Sequence, residues 1–363
     1  MFWSPTGGGV RRYLTTKRDW LSRQGWRHTI VAPGTAGAGF GDCGGVPLPF
    51  SVGYRLPVQR GRAAAAIAAP GPDLIEVGDP YRLAWAALDA GQRLGVPTLA
   101  FCHSNVAALA ALLAGTEGSA ARFARRAAEA YLARTYRRFD CVLAPSESMA
   151  AELRALGLAC VERQPLGVDT QLFHPRRHDV LLRSTLGLPR DARLLLYAGR
   201  FAPEKNLGTL VAAVQRLGPP YVLVAVGSGP LPPHGERVRV LPHEARTERL
   251  AGLLASADVF LQAGDQETFG LAALEAMACG TPVVVRDAAA LGELVAEGGG
   301  TAVGSANPAA WAEAIAAIFT ADRSSIAAAA RRRAEEFAWE HALAAMLERY
   351  RRLLGARIVP LAA

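Results

Sequence analysis

The chain has 363 residues, yet only two are lysine and only five are cysteine. No apolar run approaches the ~18–20 residues needed to span a bilayer. The opening, Met1-Phe2-Trp3-Ser4-Pro5, lacks the long apolar core of a signal peptide. Cys43, Cys102, Cys141, Cys160 and Cys279 stand singly, are odd in number and form no C-x-x-C. That pattern argues against a disulfide framework or a cysteine-based zinc site and points to a reducing cytoplasm. Each cysteine is expected to serve as a small buried hydrophobe. The 37 glycines show no three-residue period, which excludes collagen-like material. P-loop, H-E-x-x-H and G-x-S-x-G strings are missing too. The early glycine run reads G-x-G-x-x-R, with no acidic residue suitably downstream, so a dinucleotide dehydrogenase is disfavoured.

What is present is apolar and basic. Hydrophobic residues make up 51%, which excludes a disordered chain. At ~150 residues per domain the length suggests two domains. The net charge of +8 falls unevenly: residues 1–178 carry 21 Lys+Arg against 13 Asp+Glu, and residues 179–363 carry 19 against 19. A basic half suggests an anionic partner: nucleic acid, an acidic membrane surface or a phosphorylated substrate. Plain solubility explains the charge equally well. Arginine is written almost wherever a cation stands, as in a GC-rich genome. The two remaining lysines, Lys17 and Lys205, are therefore mildly informative, because a compact ammonium differs from a planar guanidinium.

Strand and helix patterns alternate along both halves. In the first, Val10–Gln24 reads as a helix, Arg27–Ala32 as a strand and Gly34–Gly45 as a mobile glycine-rich loop. Asp73–Val77, Pro97–Cys102 and Cys141–Ala144 read as strands, and Tyr81–Leu94 and Ala120–Phe139 as helices. In the second, Leu194–Ala198, Tyr221–Val226, Val238–Leu241, Val259–Gln262 and Pro282–Val285 are strands. Leu207–Leu217, Thr247–Ala255 and Leu271–Met277 are the helices between them. This alternation implies parallel sheets in two doubly wound α/β domains. Ligands are then expected at the carboxyl ends of the strands and in the cleft between the domains. Arg176–Asp191 reads as the inter-domain linker and Arg331–Leu354 as one amphipathic helix. A strand normally leads into the first glycine turn, but only six residues precede Gly7. Either that strand is reduced to Phe2 and Trp3, or the chain starts late.

Two strings carry the chemistry. The first runs Glu267-Thr-Phe269-Gly270-Leu271-Ala-Ala-Leu-Glu275-Ala-Met-Ala-Cys-Gly280-Thr-Pro-Val. Carboxylates accept well from the vicinal hydroxyls of sugars and riboses. The helix N-terminus between the two glutamates exposes N–H groups that suit phosphate oxygens. Eight helical residues would cover ~12 Å, about the reach from a sugar across a diphosphate to a ribose. The second string is Ala198-Gly199-Arg200-Phe-Ala-Pro-Glu-Lys205-Asn206, directly after a strand. Two cations in such a loop can clamp a diphosphate leaving group.

Together these strings resemble the retaining glycosyltransferases of family 4, whose GT-B architecture is two facing Rossmann-like domains. Supporting pieces are Gly7-Gly8-Gly9-Val-Arg-Arg-Tyr13, Ala144-Pro-Ser-Glu-Ser148, Pro165-Leu-Gly-Val-Asp169 with Phe173 and Pro175, Val226-Gly227-Ser-Gly-Pro230 and Trp339-Glu340. The resemblance covers essentially the whole chain. It implies an N-terminal acceptor-side domain over 1–178, a nucleotide-sugar domain over 190–330, and a helix over 331–363 returning to the first. It implies further that Arg200 and Lys205 neutralise the diphosphate, so that neither metal nor cofactor is required. Glu275 would bind the ribose. Glu267 would orient the donor sugar, helped by backbone N–H groups of Phe269, Gly270 and Leu271. Gly8, Gly9 and Gly227 would let backbone approach phosphates or acceptor. His103, in Phe101-Cys-His-Ser-Asn105, would face the donor sugar. Phe101–Asn105 resembles mannosyl-transferring members, which favours GDP-mannose, then UDP-glucose. Asp287-Ala-Ala-Ala-Leu-Gly-Glu293 departs from the family by replacing its usual small glycine pair with alanine. The expected partners are a nucleotide-sugar donor and a saccharide or lipid acceptor, with peripheral contact to an anionic membrane and no nucleic acid. A nucleotide-sugar epimerase of the same architecture and a non-catalytic nucleotide-sugar or nucleic-acid binder are the alternatives.

Overall fold

The computed structural model describes residues 8–48, 54–115 and 118–358. The suggested Phe2–Trp3 strand lies outside them. The chain divides into two compact units, residues 1–165 with 342–363, and residues 166–341.

In unit 1, the strands are β1 (Ile30–Ala32), β2 (Phe40–Asp42), β3 (Val46–Pro47), β4 (Arg55–Leu56), β5 (Ile75–Val77), β6 (Thr98–Phe101), β7 (Cys141–Ala144) and β8 (Val161–Arg163). Strands β5-β6-β7-β8 form one parallel sheet, β1-β2 a separate parallel pair and β3-β4 a small antiparallel one. Helices α1 (Gly9–Arg23), α2 (Arg60–Ala68), α3 (Arg82–Leu94), α4 (Val106–Leu113), α5 (Ser119–Tyr136) and α6 (Glu147–Ala155) alternate with the strands. Strand β2 lies inside Gly34–Gly45, which composition alone reads as a mobile loop. There the Asp42 carboxylate accepts from the amides of Gly34 and Gly44, and Thr35 donates to Ala32 O. Cys141 of β7 and Cys160, the residue before β8, form a disulfide, which corrects the expectation of five single thiols. Cys43, Cys102 and Cys279 are buried and free.

Unit 2 has one parallel six-stranded sheet in the order β11-β10-β9-β12-β13-β14. Its strands are β9 (Arg193–Ala198), β10 (Tyr221–Val226), β11 (Val238–Leu241), β12 (Val259–Gln262), β13 (Val283–Arg286) and β14 (Gly300–Val303). The central strands are buried from end to end, as parallel strands covered on both faces must be. Their helices are α7 (Leu182–Thr185), α8 (Leu207–Leu217), α9 (Thr247–Ser256), α10 (Leu271–Ala278), α11 (Ala289–Val295), α12 (Pro308–Thr320) and α13 (Arg323–Glu336).

The stretch read as a linker is docked on this unit. Asp179 N–H donates to Ser256 Oγ at 2.8 Å and Arg183 bonds the Asp258 carboxylate at 2.7 Å. The division of the chain accordingly falls at 165/166 rather than 178. The expected single tail helix is two, α13 and α14 (Trp339–Ile358). They are interrupted where Val168 N–H donates to Phe337 O and Trp339 N–H to Val168 O. Helix α14 begins in unit 2 and continues in unit 1 from residue 342.

Candidate functional site

Unit 2 gathers its chemistry at the carboxyl ends of β9, β10 and β12. After β9 the backbone makes a 3-10 turn, Pro203–Lys205, and enters α8 through Asn206. Asn206 adopts φ 52°, a left-handed conformation that asparagine tolerates better than most residues. Its amide donates to Ala263 O at 3.2 Å and ties this loop to the one after β12. The loops after β9 and β10 are zipped together: Gly199 N–H reaches Val226 O at 2.9 Å, and Phe201 N–H reaches Ser228 O at 2.8 Å. A Cβ on Gly227 would sit 1.8 Å from Gly199 O, so only glycine permits this approach.

Across this frame Lys205 Nζ donates to Glu267 Oε1 at 2.5 Å, with the side chains 21% and 17% exposed. Arg200, five residues earlier and largely exposed, pairs with Glu204 at 2.5 Å. Tyr197 fixes the Arg200 backbone by donating to its carbonyl at 2.8 Å. Both cations thus carry a carboxylate partner, and an incoming polyanion must exchange partners with them.

Glu267 precedes Gly270, which caps α10 at φ 89° and whose Cβ would strike Leu291 at 2.6 Å. Phe269 is buried edge-on against Phe337, with ring centroids 5.8 Å apart. The first amides of α10, from Leu271 onward, have no partner within the helix. Leu274 N–H makes the first such bond, to Gly270 O. Glu275 lies one turn inside and is 6% exposed. Only Leu271–Glu275 of the eight-residue spacing is helical, so ~6 Å of rise plus a loop replaces the ~12 Å expected. Where the family carries small glycines, Ala289 adopts φ 49°, and the next amide, Ala290 N–H, donates to Glu267 O at 3.2 Å.

In unit 1, Gly8 caps α1 at φ 111° and Gly9 is its first residue. His103 follows β6. Its ring stacks on Phe101 at 4.2 Å and meets the edge of Tyr13 from α1 at 5.3 Å. A Cβ on Gly78 would lie 3.0 Å from the imidazole, so a glycine makes room for it. Burial lowers the His103 pKa to about 4 and keeps the ring neutral; Lys17 lowers it further, and Glu76 opposes both.

Beneath this ring is a polar cluster that sequence reasoning did not find. Lys17, 1% exposed, donates to Glu76 at 2.5 Å and lies 3.3 Å from the hydroxyls of Tyr13 and Tyr350. Tyr350 donates to the other Glu76 oxygen at 2.5 Å. Burial opposes ionisation of Glu76, but Lys17 and the hydrogen bonds outweigh it and hold the carboxyl below its usual range. The available signal was Lys17 itself: each of the two lysines in the chain binds a glutamate.

Unit 2 therefore assembles Arg200, Lys205, Gly227, Glu267, Phe269, Gly270, Leu271 and Glu275 on the edge where α/β sheets take ligands. Gly8, Gly9 and His103 belong to unit 1.

Residues 7–172 match the Glycosyltransferase Family 4 description, and residues 181–337 match Glycosyl transferases group 1. The chain is 36% identical over 310 residues to a GDP-mannose-dependent alpha-(1-6)-phosphatidylinositol dimannoside mannosyltransferase of Mycobacterium tuberculosis, covering 83% of this chain and 79% of that one. It is 32% identical over 311 residues to a GDP-mannose-dependent alpha-mannosyltransferase of Mycolicibacterium smegmatis, covering 80% and 79%. Among solved structures, the sucrose-phosphate synthase of Thermosynechococcus elongatus superposes with TM-score 0.79 at 24% identity, covering 96% and 94%. Anabaena HepE in complex with UDP-glucose gives 0.75 at 18% identity, covering 96% and 98%. These likenesses show the GT-B fold.

Proposed function

Because the chain belongs to the family 4 glycosyltransferases, we propose that it is a retaining, metal-independent hexosyltransferase that moves mannose from GDP-mannose to a hydroxyl of a lipid-linked saccharide. The observation that carries this reading is the Lys205–Glu267 pair, held between two loops at the carboxyl edge of unit 2. On donor binding, Lys205 and Arg200 turn to the diphosphate and Glu267 accepts from hydroxyls of the sugar. Glu275 takes the ribose, and the α10 amides face the phosphates. As the C1–O bond to the diphosphate breaks, the acceptor hydroxyl bonds to C1 on the same face and its proton passes to the diphosphate oxygen. Charge grows on the leaving group in that step, and two preorganised cations answer it without a metal. GDP-mannose is preferred because relatives similar over four fifths of the chain carry that dependence in their names.

The acceptor side belongs to unit 1, whose basic surface suits an anionic membrane met from the cytoplasm. Helix α5 carries Arg122, Arg125, Arg126 and Arg134, and Arg137 and Arg138 follow its end; all six are exposed. Arg125 pairs with Glu129, Arg134 and Arg138 lie over Trp85, and Arg137 bonds Leu156 O. Arg122 and Arg126 have no such partner among the described residues. Beside them Phe123 is 76% exposed, and Leu113, at the same end of the α4–α5 hairpin, is 81% exposed. No helix among the described residues is long and apolar enough to cross a membrane.

Incubation with radiolabelled GDP-mannose and acidic glycolipid acceptors in EDTA tests the reading. Labelled lipid with an α-linkage and stoichiometric GDP is expected. Transfer that stops in EDTA, a β-linkage, or no transfer from any nucleotide sugar would overturn its respective part.

A further inference from the structure

The polar cluster beneath His103 stands where apolar side chains would suffice for the fold. Lys17 occupies the buried stripe of α1, one turn from Tyr13 and one turn from Leu21, and is itself 1% exposed. Glu76 is the middle residue of β5. A buried ion pair is weak evidence for stability, since apolar residues of similar volume often serve a fold as well or better. What this pair does supply is a fixed direction for the groups it bonds.

That direction leads to His103. Lys17 Nζ donates to Glu76 Oε1 at 2.5 Å and to the Tyr13 hydroxyl at 3.3 Å, and lies 4.9 Å from the centre of the Tyr13 ring. The Tyr13 hydroxyl in turn lies 3.4 Å from Glu76 Oε1 and 3.2 Å from Met346 Sδ of α14. Tyr350, also from α14, donates to Glu76 Oε2 at 2.5 Å. Tyr13 is thereby gripped at its hydroxyl end, while its ring meets Phe101 at 5.4 Å and His103 at 5.3 Å. Phe101 stacks on the same imidazole, 6° from parallel, and Gly78, two residues after Glu76, leaves the ring its space. The imidazole is held on three sides, and the Lys17–Glu76 pair sets one of them.

We infer that Lys17 and Glu76 are positioning residues for His103: acting through Tyr13, they hold its imidazole in one orientation. The inference rests on the proposed function in taking the donor sugar as what that ring faces. Displacing a positioned group by about 1 Å can cost ~10²-fold in rate, so the support should be read in turnover rather than in stability.

The test is Lys17→Met combined with Glu76→Gln, which keeps the volumes and removes both charges together, leaving neither one buried alone. The melting temperature is expected to hold or rise. Mannose transfer is expected to fall ~10–100-fold in kcat, with KM for GDP-mannose changed less than ~3-fold. In a His103→Gln background the same pair of substitutions should cost nothing further, because the residue through which it acts is gone. Tyr13→Phe keeps the ring and removes only the hydroxyl; it should show a smaller kcat loss, again absent without His103. An unchanged kcat in the folded double variant, an equal loss with and without His103, or a loss confined to KM would overturn the inference. Should the double variant not fold, an unchanged kcat in Tyr13→Phe overturns it. The nuclear Overhauser contact between the Tyr13 and His103 rings reads the positioning without turnover, and it should weaken in both variants. Its persistence at full strength would overturn the inference even where no mannose is transferred. Its weakening in a chain whose unsubstituted form transfers none would overturn the proposed function alone.

Discussion

The pairing of Lys205 with Glu267 makes the two halves of the donor respond oppositely to one substitution. If Glu267 served only the sugar, its loss would leave binding of the free nucleoside diphosphate untouched. Its oxygen, however, lies 2.5 Å from the ammonium that is to receive the diphosphate. A phosphate oxygen on Lys205 would then sit ~5 Å from a carboxylate. Two like charges at that distance repel by about 3 kcal/mol at an effective dielectric of ~20, and by about 0.8 kcal/mol in bulk water. The pair is about one-fifth exposed, so a value between these limits applies, ~1–2 kcal/mol or ~5–30-fold in affinity. Glu267→Gln keeps the shape and removes the charge. GDP alone is expected to bind ~5–30-fold tighter. Intact GDP-mannose also loses a charged hydrogen bond worth ~1.5–3 kcal/mol, which cancels or reverses the gain. Titration calorimetry with both ligands reads the difference directly. In a Lys205→Met background the gain for GDP should vanish. Equal weakening of GDP and GDP-mannose by Glu267→Gln, or no change in either, would refute the reasoning.

Lys205→Ala is expected to lower kcat by ~10²–10³ with the fold intact by circular dichroism. Ala289→Gly removes ~1–2 kcal/mol of left-handed strain and adds ~0.5–1 kcal/mol of unfolded-chain freedom, so the chain should gain about 0.5–1 kcal/mol by thermal or denaturant unfolding. Burial depresses His103 to about 4 and His28, beside Lys17, to about 3, against ~6.5 in the unfolded chain. The stability these neutral rings confer is complete above pH 6.5 and is lost as pH falls from there through about 4 for His103 and about 3 for His28, because the unfolded chain takes up protons that the folded one refuses. His103→Gln should flatten the acid limb of the Tm–pH curve. Finally, sedimentation with anionic vesicles should fall on raising the salt, and Phe123→Ser with Leu113→Ser should weaken it at every salt concentration. Equal binding to neutral and anionic vesicles would remove the electrostatic part.

The parallel domains were legible because buried strands are continuous apolar runs, and β7, β10 and β12 were bounded correctly for that reason. β2 was not, because Phe-Gly-Asp carries no such run and is held by Asp42 and Thr35 acting on backbone far from it in pattern. The tail helix was misread as continuous because periodicity does not see a neighbouring chain. The break at Phe337–Trp339 is made by Val168, some 170 residues away. The disulfide escaped for the same reason, since spacing says nothing about which strands become neighbours.

The charged residues of the two strand-end loops in unit 2 were legible as types but not as partners. Carboxylates and cations in two strand-end loops suggested anion and hydroxyl recognition. Nothing in the spacing said that Lys205 and Glu267, 62 residues apart, would neutralise each other. That pairing requires Asn206 to bend left-handed and grip Ala263 O, and it requires Ala290 N–H to hold the Glu267 backbone from beyond α10. On the proposed reading, a donor entering this site meets a closed ion pair. The diphosphate must therefore compete with Glu267 for Lys205, and the sugar hydroxyls offer Glu267 its replacement bonds. A nucleoside diphosphate without its sugar separates the pair and leaves the carboxylate uncompensated. That asymmetry favours entry of the intact donor and departure of the spent nucleotide, and it follows from one 2.5 Å contact rather than from any property of the residues taken singly.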